Sequence, residues 1–204
     1  MDSTIIFKYV LVSVIAYFLG NFATSYIVSM RSAHIDIRKH GSGNAGATNV
    51  LRVLGAKAAA LTFLGDALKG IIAVLIGRYL VGSNGALLAG LFVVIGHNWP
   101  ITLGFKGGKG VATTIGSMLA INPLLVLIVF AVGVAVLMIT KYVSLASITG
   151  MVIFPIAMIA FKQSTEYVAF SLILALIAIF KHRKNIVRLI KGTESKIGNK
   201  TKAV

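Results

Sequence analysis

Between His40 and Arg52 the chain reads HGSGNAGATNVLR, a run of glycines, small hydroxyls and amides that ends on a guanidinium. Residues of this kind leave backbone N–H groups accessible. Loops built from them close around oxyanions, as nests and helix N-termini do. Ser42, Gly43, Asn44 and Thr48 are the candidate donors, and Arg52 adds a planar fork suited to phosphate or carboxylate. An ordinary turn between helices needs one or two such residues, so the density here points to anion binding.

A second glycine run, Gly104-Phe105-Lys106-Gly107-Gly108-Lys109-Gly110, precedes Val111, Thr113 and Thr114. It is not a Walker A sequence: the place of the first glycine holds Leu103, and Gly110 follows the Gly-Lys pair where Ser or Thr is required. A phosphate cradle without Mg-nucleotide chemistry is expected, with Lys109 and the N–H groups of Gly107, Gly108 and Gly110 around the anion. Gly110 opens a helical stretch whose N-terminal dipole would face it. Just upstream, Gly96-His97-Asn98-Trp99-Pro100 reads equally well as an interfacial anchor closed by a span-ending proline.

Two more polar stretches interrupt apolar sequence. In Lys141-Tyr142-Val143-Ser144-Leu145-Ala146-Ser147 a serine near a helix start is most often an N-cap; Ser147, more than Ser144, is the candidate for substrate binding. In Lys181-His182-Arg183-Lys184-Asn185, His182 and Asn185 share a helix face, with Arg188 a turn further on. A histidine ordinarily titrates near neutrality, which suits His182 to proton transfer. The competing reading is a solvated basic boundary.

These stretches have to be positioned by elements that face lipid. Of 204 residues 57% are hydrophobic and only 12% charged, against about 25% charged in soluble domains. Such a chain cannot coat a globule with polar side chains. The net charge of +15 is first of all the basic excess of cytoplasmic loops. It also draws anionic headgroups and phosphorylated metabolites to that face. No interleaving of basic and aromatic residues suited to stacking on bases is present, so nucleic acid is not an expected partner. With no Cys, thiol chemistry is excluded, and four scattered His with five acids make a metal cluster unexpected. No cofactor is expected.

Apolar runs fall near 4–30, 56–81, 85–103, 111–121, 123–140, 143–161 and 166–181. Asn122-Pro123 divides what would otherwise be one overlong stretch. The 111–121 run is short against the roughly 20 residues a bilayer needs. A bundle of about seven transmembrane helices is predicted, or about five if 111–140 does not cross twice. Arg31, Arg38, Lys39, Arg52, Lys106, Lys109, Lys141, Lys181, Arg183, Lys184 and Arg188 all fall on one side if the N-terminus is outside. The opposite loops offer Arg78, and Lys162 answered by Glu166. This asymmetry predicts N-terminus out and C-terminus in. The first run lacks a basic n-region and exceeds a signal-peptide core, so it is expected to remain as a span.

Within the spans, Asp66 and Lys69 lie on one helix face and read as a self-neutralising pair rather than a proton relay. Gly20 with Thr24, and Gly85 with Ala89, suit close helix approach. Residues 182–192 place Ile186, Leu189 and Ile190 on one stripe and predict an interfacial helix.

Taken in order, GSGNAGATNVLR, GHNWPITLGFKGGKGVATTIG, YVSLASI and KHRKNIVRL resemble the bacterial acyl-phosphate:glycerol-3-phosphate acyltransferases of the PlsY type over nearly the whole chain. The resemblance implies an all-α enzyme of the bacterial inner membrane with its site on the cytoplasmic side. It would move a fatty acyl group from acyl phosphate to the 1-hydroxyl of glycerol 3-phosphate. It carries the family's functional residues onto Ser42, Arg52, Lys109, Ser147, His182 and Asn185. Residues 1–192 would form a single transmembrane acyltransferase domain, and 193–204 a flexible basic tail. A monomer in contact with membrane lipid is expected. The His-x4-Asp arrangement of acyl-CoA-dependent enzymes is absent, since Ile186 and Val187 stand where the acid would be.

An acyl phosphate is already an activated anhydride, so alignment and charge stabilisation carry most of the work. His182 is the candidate base, with a substrate phosphate as the alternative acceptor, and Asp36 is the nearest acid on the expected cytoplasmic loops. A seryl-acyl route through Ser42 or Ser147 lacks a recognisable triad. A small anion transporter would show paired repeats and broken midplane helices, and neither is visible in the sequence.

Overall fold

The computed structural model describes residues 2–198, and among them the chain is helical throughout, without strands. Contacts divide the stretch expected as one domain into two compact units, one running to Ile121 and the other starting at Asn122. Among the described residues, five helical segments are long and apolar enough to cross a membrane.

In the first unit, helix α1 (Ser3–Gly20) and helix α2 (Thr24–Ala33) occupy what the sequence presents as one span. The break at Asn21–Ala23 is stabilised locally. Asn21 Nδ2 donates to the Tyr17 carbonyl at 2.6 Å, while its Oδ1 accepts from the N–H of Ile101 at 2.6 Å. Helix α3 (Ala47–Leu54) is short and amphipathic. Its Val50 joins Ile37, Ala58 and Ala59 in a small core that seats the preceding loop.

Helix α4 (Ala56–Asn98) would measure about 65 Å if straight, twice the hydrocarbon thickness of about 30 Å. It reverses at Gly82, whose φ of 73° and ψ of −153° belong to a region essentially confined to glycine. Gly77 and Gly85, more than two turns apart in sequence, pack so closely across the reversal that a Cβ on either would overlap the other's carbonyl oxygen. The two arms coincide with the apolar runs 56–81 and 85–103 of the sequence, joined by a tighter turn. Gly20 lies against Val93 and Gly96, and Thr24 against Gly65, so the small residues do mark the helix crossings. Helix α5 (Val111–Ile121) packs on the first arm, where Gly116 meets Ala67 and Gly70 meets Thr113 and Ser117. At about 16 Å it is too short to cross alone.

The second unit comprises helices α6 (Pro123–Thr140), α7 (Val143–Ala160) and α8 (Thr165–Ile190). Asn122 caps α6, accepting from the N–H of Leu125 at 3.1 Å, with Pro123 in the first turn. The span break expected at Asn122-Pro123 is therefore a cap. Helix α8 continues unbroken through Lys181 to Ile190, so residues 182–190 extend a span rather than forming a separate interfacial helix.

The chain expected to be flexible from residue 193 is instead held: Ile197 N–H donates to the Lys141 carbonyl at 2.8 Å, and Glu194 is buried. A single acid among basic residues gives a local reading no cue to this, and one of its partners, Ser144, is 50 residues away. Residues 199–204 of that expected tail lie outside the described residues.

Candidate active site

The first glycine loop is shaped by Asn49, which is 1% exposed. Its Oδ1 accepts from the N–H of Ser42 at 2.8 Å, and its Nδ2 donates to the carbonyls of Ile37 and His40 at 3.1 and 3.0 Å. One amide thus ties both ends of the loop, and its bond to the Ile37 carbonyl satisfies a group that burial would otherwise penalise. Gly41 and Gly43 turn the chain with φ of 58° and 71°. Gly46 enters α3 in extended conformation, and no side chain caps that helix. The first N–H groups of α3, at Ala47 and Thr48, therefore lack a side-chain acceptor of the usual kind, the state in which a helix start holds an anion. Ser42 and Gly43 are exposed, and Asn44, Thr48 and Arg52 are half-buried, Arg52 in the last turn of α3.

The second loop is locked against the first. The Arg38 guanidinium donates to Asp36 through Nη2 at 2.7 Å and Nε at 2.9 Å, and through Nη1 to the Leu103 carbonyl at 3.0 Å. Asp36 is committed to this pairing. The hydrogen bond from Arg38 holds its carboxyl below the ordinary range and burial opposes the shift only in part, so it orients a guanidinium. Gly108 lies where a Cβ would overlap both His97 Nε2 and the Ala45 carbonyl oxygen, and its N–H donates to the His97 carbonyl at 3.1 Å. Gly107 is equally crowded by the His97 carbonyl and Pro100. Gly110, with φ of 80°, opens α5 by accepting from the Thr114 N–H at 2.7 Å. Lys109 is half-buried between these glycines. Two N–H-rich loops, each carrying a cation, thus sit side by side in the first unit.

The stretch Gly96–Pro100, read above as a possible interfacial anchor, is part of this support. Gly96, His97 and Asn98 are buried, and the Trp99 carbonyl accepts from the Tyr17 hydroxyl at 2.9 Å.

In the second unit His182, 2% exposed, lies at hydrogen-bond distance from the Ala178 carbonyl, Nδ1 to O being 2.8 Å. A carbonyl can only accept, so Nδ1 carries a proton. A main-chain carbonyl, not a carboxylate, orients this imidazole. Asn185 Nδ2 donates to Glu194 Oε1 at 2.7 Å, joined there by the Ser144 hydroxyl at 2.8 Å, while Arg188 Nε donates to Oε2 at 2.6 Å. Burial is the largest influence on the Glu194 carboxyl and pushes its pKa up. The hydrogen bonds from Asn185, Arg188 and Ser144 together outweigh it and leave the group below its ordinary range.

Ser144 and Ser147 both lie inside α7, whose N-cap position is Tyr142, so neither is the N-cap expected above. The Ser147 hydroxyl donates to the Val143 carbonyl at 2.9 Å, leaving its oxygen to accept. Glu194, Asn49 and His97 were not singled out by sequence. Only the Asx-type position of Asn49 after a glycine loop could have signalled one of them.

The family model "Glycerol-3-phosphate acyltransferase" matches residues 10–192. A protein of that name from Thermoanaerobacter sp. (strain X514) is 58% identical over 94% of this chain and 97% of its own length. One from Clostridioides difficile (strain 630) is 54% identical over 96% and 98%. Among solved structures, the integral membrane glycerol 3-phosphate acyltransferase PlsY in its glycerol 3-phosphate form superposes with a TM-score of 0.88 at 36% identity, covering 93% of this chain and 96% of that one. Its lysophosphatidic acid form gives 0.86 at 35%. The motifs, the helical architecture and these matches agree, and the chain belongs to the glycerol-3-phosphate acyltransferase family.

Proposed function

We propose that this protein transfers a fatty acyl group from acyl phosphate to the 1-hydroxyl of sn-glycerol 3-phosphate, releasing lysophosphatidic acid and inorganic phosphate. The observation that carries the proposal is the pair of interlocked glycine loops. Both substrates of this reaction are phosphate esters or anhydrides, and two adjacent N–H-rich loops with Arg52 and Lys109 match two anions. Lys109 and the N–H groups of Gly107 and Gly110 hold the phosphate that departs, while the Gly108 N–H, expected to share in this, is committed to the His97 carbonyl. Arg52, Ser42, Asn44 and Thr48 hold glycerol 3-phosphate, with Gly43, expected among the donors, instead closing the turn through its N–H on the His40 carbonyl at 3.0 Å, and Ser147 contributes an acceptor.

The attacking hydroxyl adds to the acyl carbon, the bond from that carbon to the phosphate oxygen breaks, and the hydroxyl proton passes to Nε2 of His182, with Asn185 aligning the hydroxyl. Charge that builds on the leaving phosphate is met by donors already in place, which is where most of the acceleration arises. An open apolar groove of about 600 Å³ between α1 and α4, lined by Val14, Phe18, Phe22, Leu68 and Ile72, suits an acyl chain within reach of lipid.

The protein lies in the bacterial inner membrane, N-terminus out and C-terminus in, with the two arms of α4 and helix α5 each counted among seven crossings. Helix α5 makes a partial one. The loops richest in basic residues then face the cytoplasm.

Detergent-solubilised protein given acyl phosphate and glycerol 3-phosphate tests the reaction. Stoichiometric phosphate and lysophosphatidic acid are expected, with no acylation when acyl-CoA replaces the donor; turnover with acyl-CoA alone would refute the donor assignment. Because the chain has no Cys, Lys39→Cys and Lys184→Cys report topology cleanly. Both are expected to react with an impermeant thiol reagent only from the cytoplasmic side, and labelling from opposite sides would sink the arrangement.

A further inference from the structure

Asp66 and Lys69 do not form a closed pair. Lys69 Nζ is 2.9 Å from Asp66 Oδ1, but it also donates to the carbonyls of Gly20 and Phe22 at 3.1 and 2.8 Å and lies 2.8 Å from His97 Nδ1. His97 Nδ1 is 3.5 Å from the same carboxylate oxygen. All three side chains are buried. We propose that His97 is a positioning residue that holds the Gly107–Gly110 loop from beneath, in a tautomer set by the buried Asp66–Lys69 pair. The inference deepens the reading above and rests on it for the identity of the ligand.

The tautomer follows from the neighbours. An ammonium has three hydrogens and no lone pair: the Gly20 and Phe22 carbonyls take two, Asp66 Oδ1 is met as an ion-pair contact without a hydrogen bond of its own, and the third goes to Nδ1 at 2.8 Å, which therefore accepts. The ring proton is then on Nε2, the edge that faces the loop. That edge packs against Gly108 so tightly that a Cβ there would overlap it, and the same Cβ would overlap the Ala45 carbonyl of the first loop. The imidazole therefore presents a donor at the point where the two glycine loops meet, while the His97 carbonyl takes the Gly108 N–H. Lys69 does more than neutralise Asp66. It ties the frayed carbonyls at the end of α1 to the imidazole, and the same break, through Asn21, grips Ile101 at the start of the loop segment. A neutral pair shielded for packing alone would need neither contact.

His97→Asn keeps an acceptor near the Nδ1 position but does not reach the loop; His97→Gln places an N–H near Nε2. With His97→Asn the KM for acyl phosphate is expected to rise about tenfold or more, since small misplacements of an anion clamp are costly. The KM for glycerol 3-phosphate is expected to stay within about twofold, and amide exchange over 104–112 to accelerate while α5 beyond Thr114 stays protected. His97→Gln should recover most of both readouts. Equal rises in both KM values, a Gln variant no better than Asn, or unchanged loop exchange would each overturn the assignment. If the wild-type protein does not use acyl phosphate, the donor reading fails, and the exchange comparison still decides the clamp. Should His97→Asn not survive purification, the Asp66→Asn/Lys69→Met double variant removes both charges together and releases the ring. It is expected to loosen the same segment, and unchanged exchange there would overturn the proposal.

Discussion

The glycine-loop edge of the first unit and the His182 edge of the second hold their candidate site groups in opposite ways. At the former, the groups offered are largely main-chain N–H, and buried side chains such as Asn49 shape the backbone that carries them. At the latter, the groups are side chains on one continuous helix, fixed by the Ala178 carbonyl and by Glu194. A main-chain cradle tolerates little added bulk but has no single indispensable atom. A pair of helix-borne side chains tolerates bulk around it and fails when one atom is removed.

Substitutions can break or sharpen that contrast. The largest effect is expected from His182→Ala, a loss of about 10²–10⁴ in kcat with phosphate release as the readout. A loss under tenfold would transfer proton acceptance to a substrate phosphate and leave His182 a positioner. Lys109→Ala is expected to cost about 10²–10³ in kcat/KM, the range for removing one charge-stabilising donor. Asn49→Ala, which touches no ligand in this scheme, is expected to raise the KM for glycerol 3-phosphate by about tenfold. It should also lower stability by roughly 1–3 kcal/mol by stranding the buried Ile37 carbonyl and the half-buried His40 carbonyl; an unchanged KM would mean the loop shape is set elsewhere.

Glu194→Gln should cost on the order of 1–3 kcal/mol through loss of charge-assisted hydrogen bonds. Since the folded-state pKa of Glu194 is depressed, its contribution is present above the unfolded value near 4.5 and is lost as pH falls through the lower folded value. Melting curves of wild type and variant should therefore converge on acidification, and a gap that persists in acid would show that shape matters, not charge. The smallest effect is expected from Ser147→Ala, because that hydroxyl already donates within its own helix. A change in KM beyond about threefold would give Ser147 a larger part, and complete inactivation would reopen the seryl-acyl route.

How much of this was legible in the sequence follows the same divide. Apolar runs, the Asn122-Pro123 break and the glycine loops are local patterns, and each appears as an element boundary or loop in the structure. Asp66 and Lys69 were visible as neighbours because they are three apart on one helix. His97 was not visible as their third member, because only the reversal at Gly82 brings it back. Glu194 was missed for a similar reason: Ser144, one of its partners, is 50 residues away, and a lone acid among basic residues looks solvated. The break at Asn21 was hidden because Asn-Phe-Ala-Thr is only mildly polar, and what stops the helix is a contact with Ile101.

The reversal at Gly82 also bears on how the protein enters its membrane. The first arm of α4 carries Asp66 and Lys69 in mid-helix, and placing such charges at a bilayer centre costs about 2.5–3.5 kcal/mol each on insertion scales. The arm that follows brings His97 to that pair, and the glycines at 77 and 85 let the arms touch. Only with the two arms closed on each other are both charges covered by protein, so the tight turn sets a condition that any route of the arms into lipid has to meet.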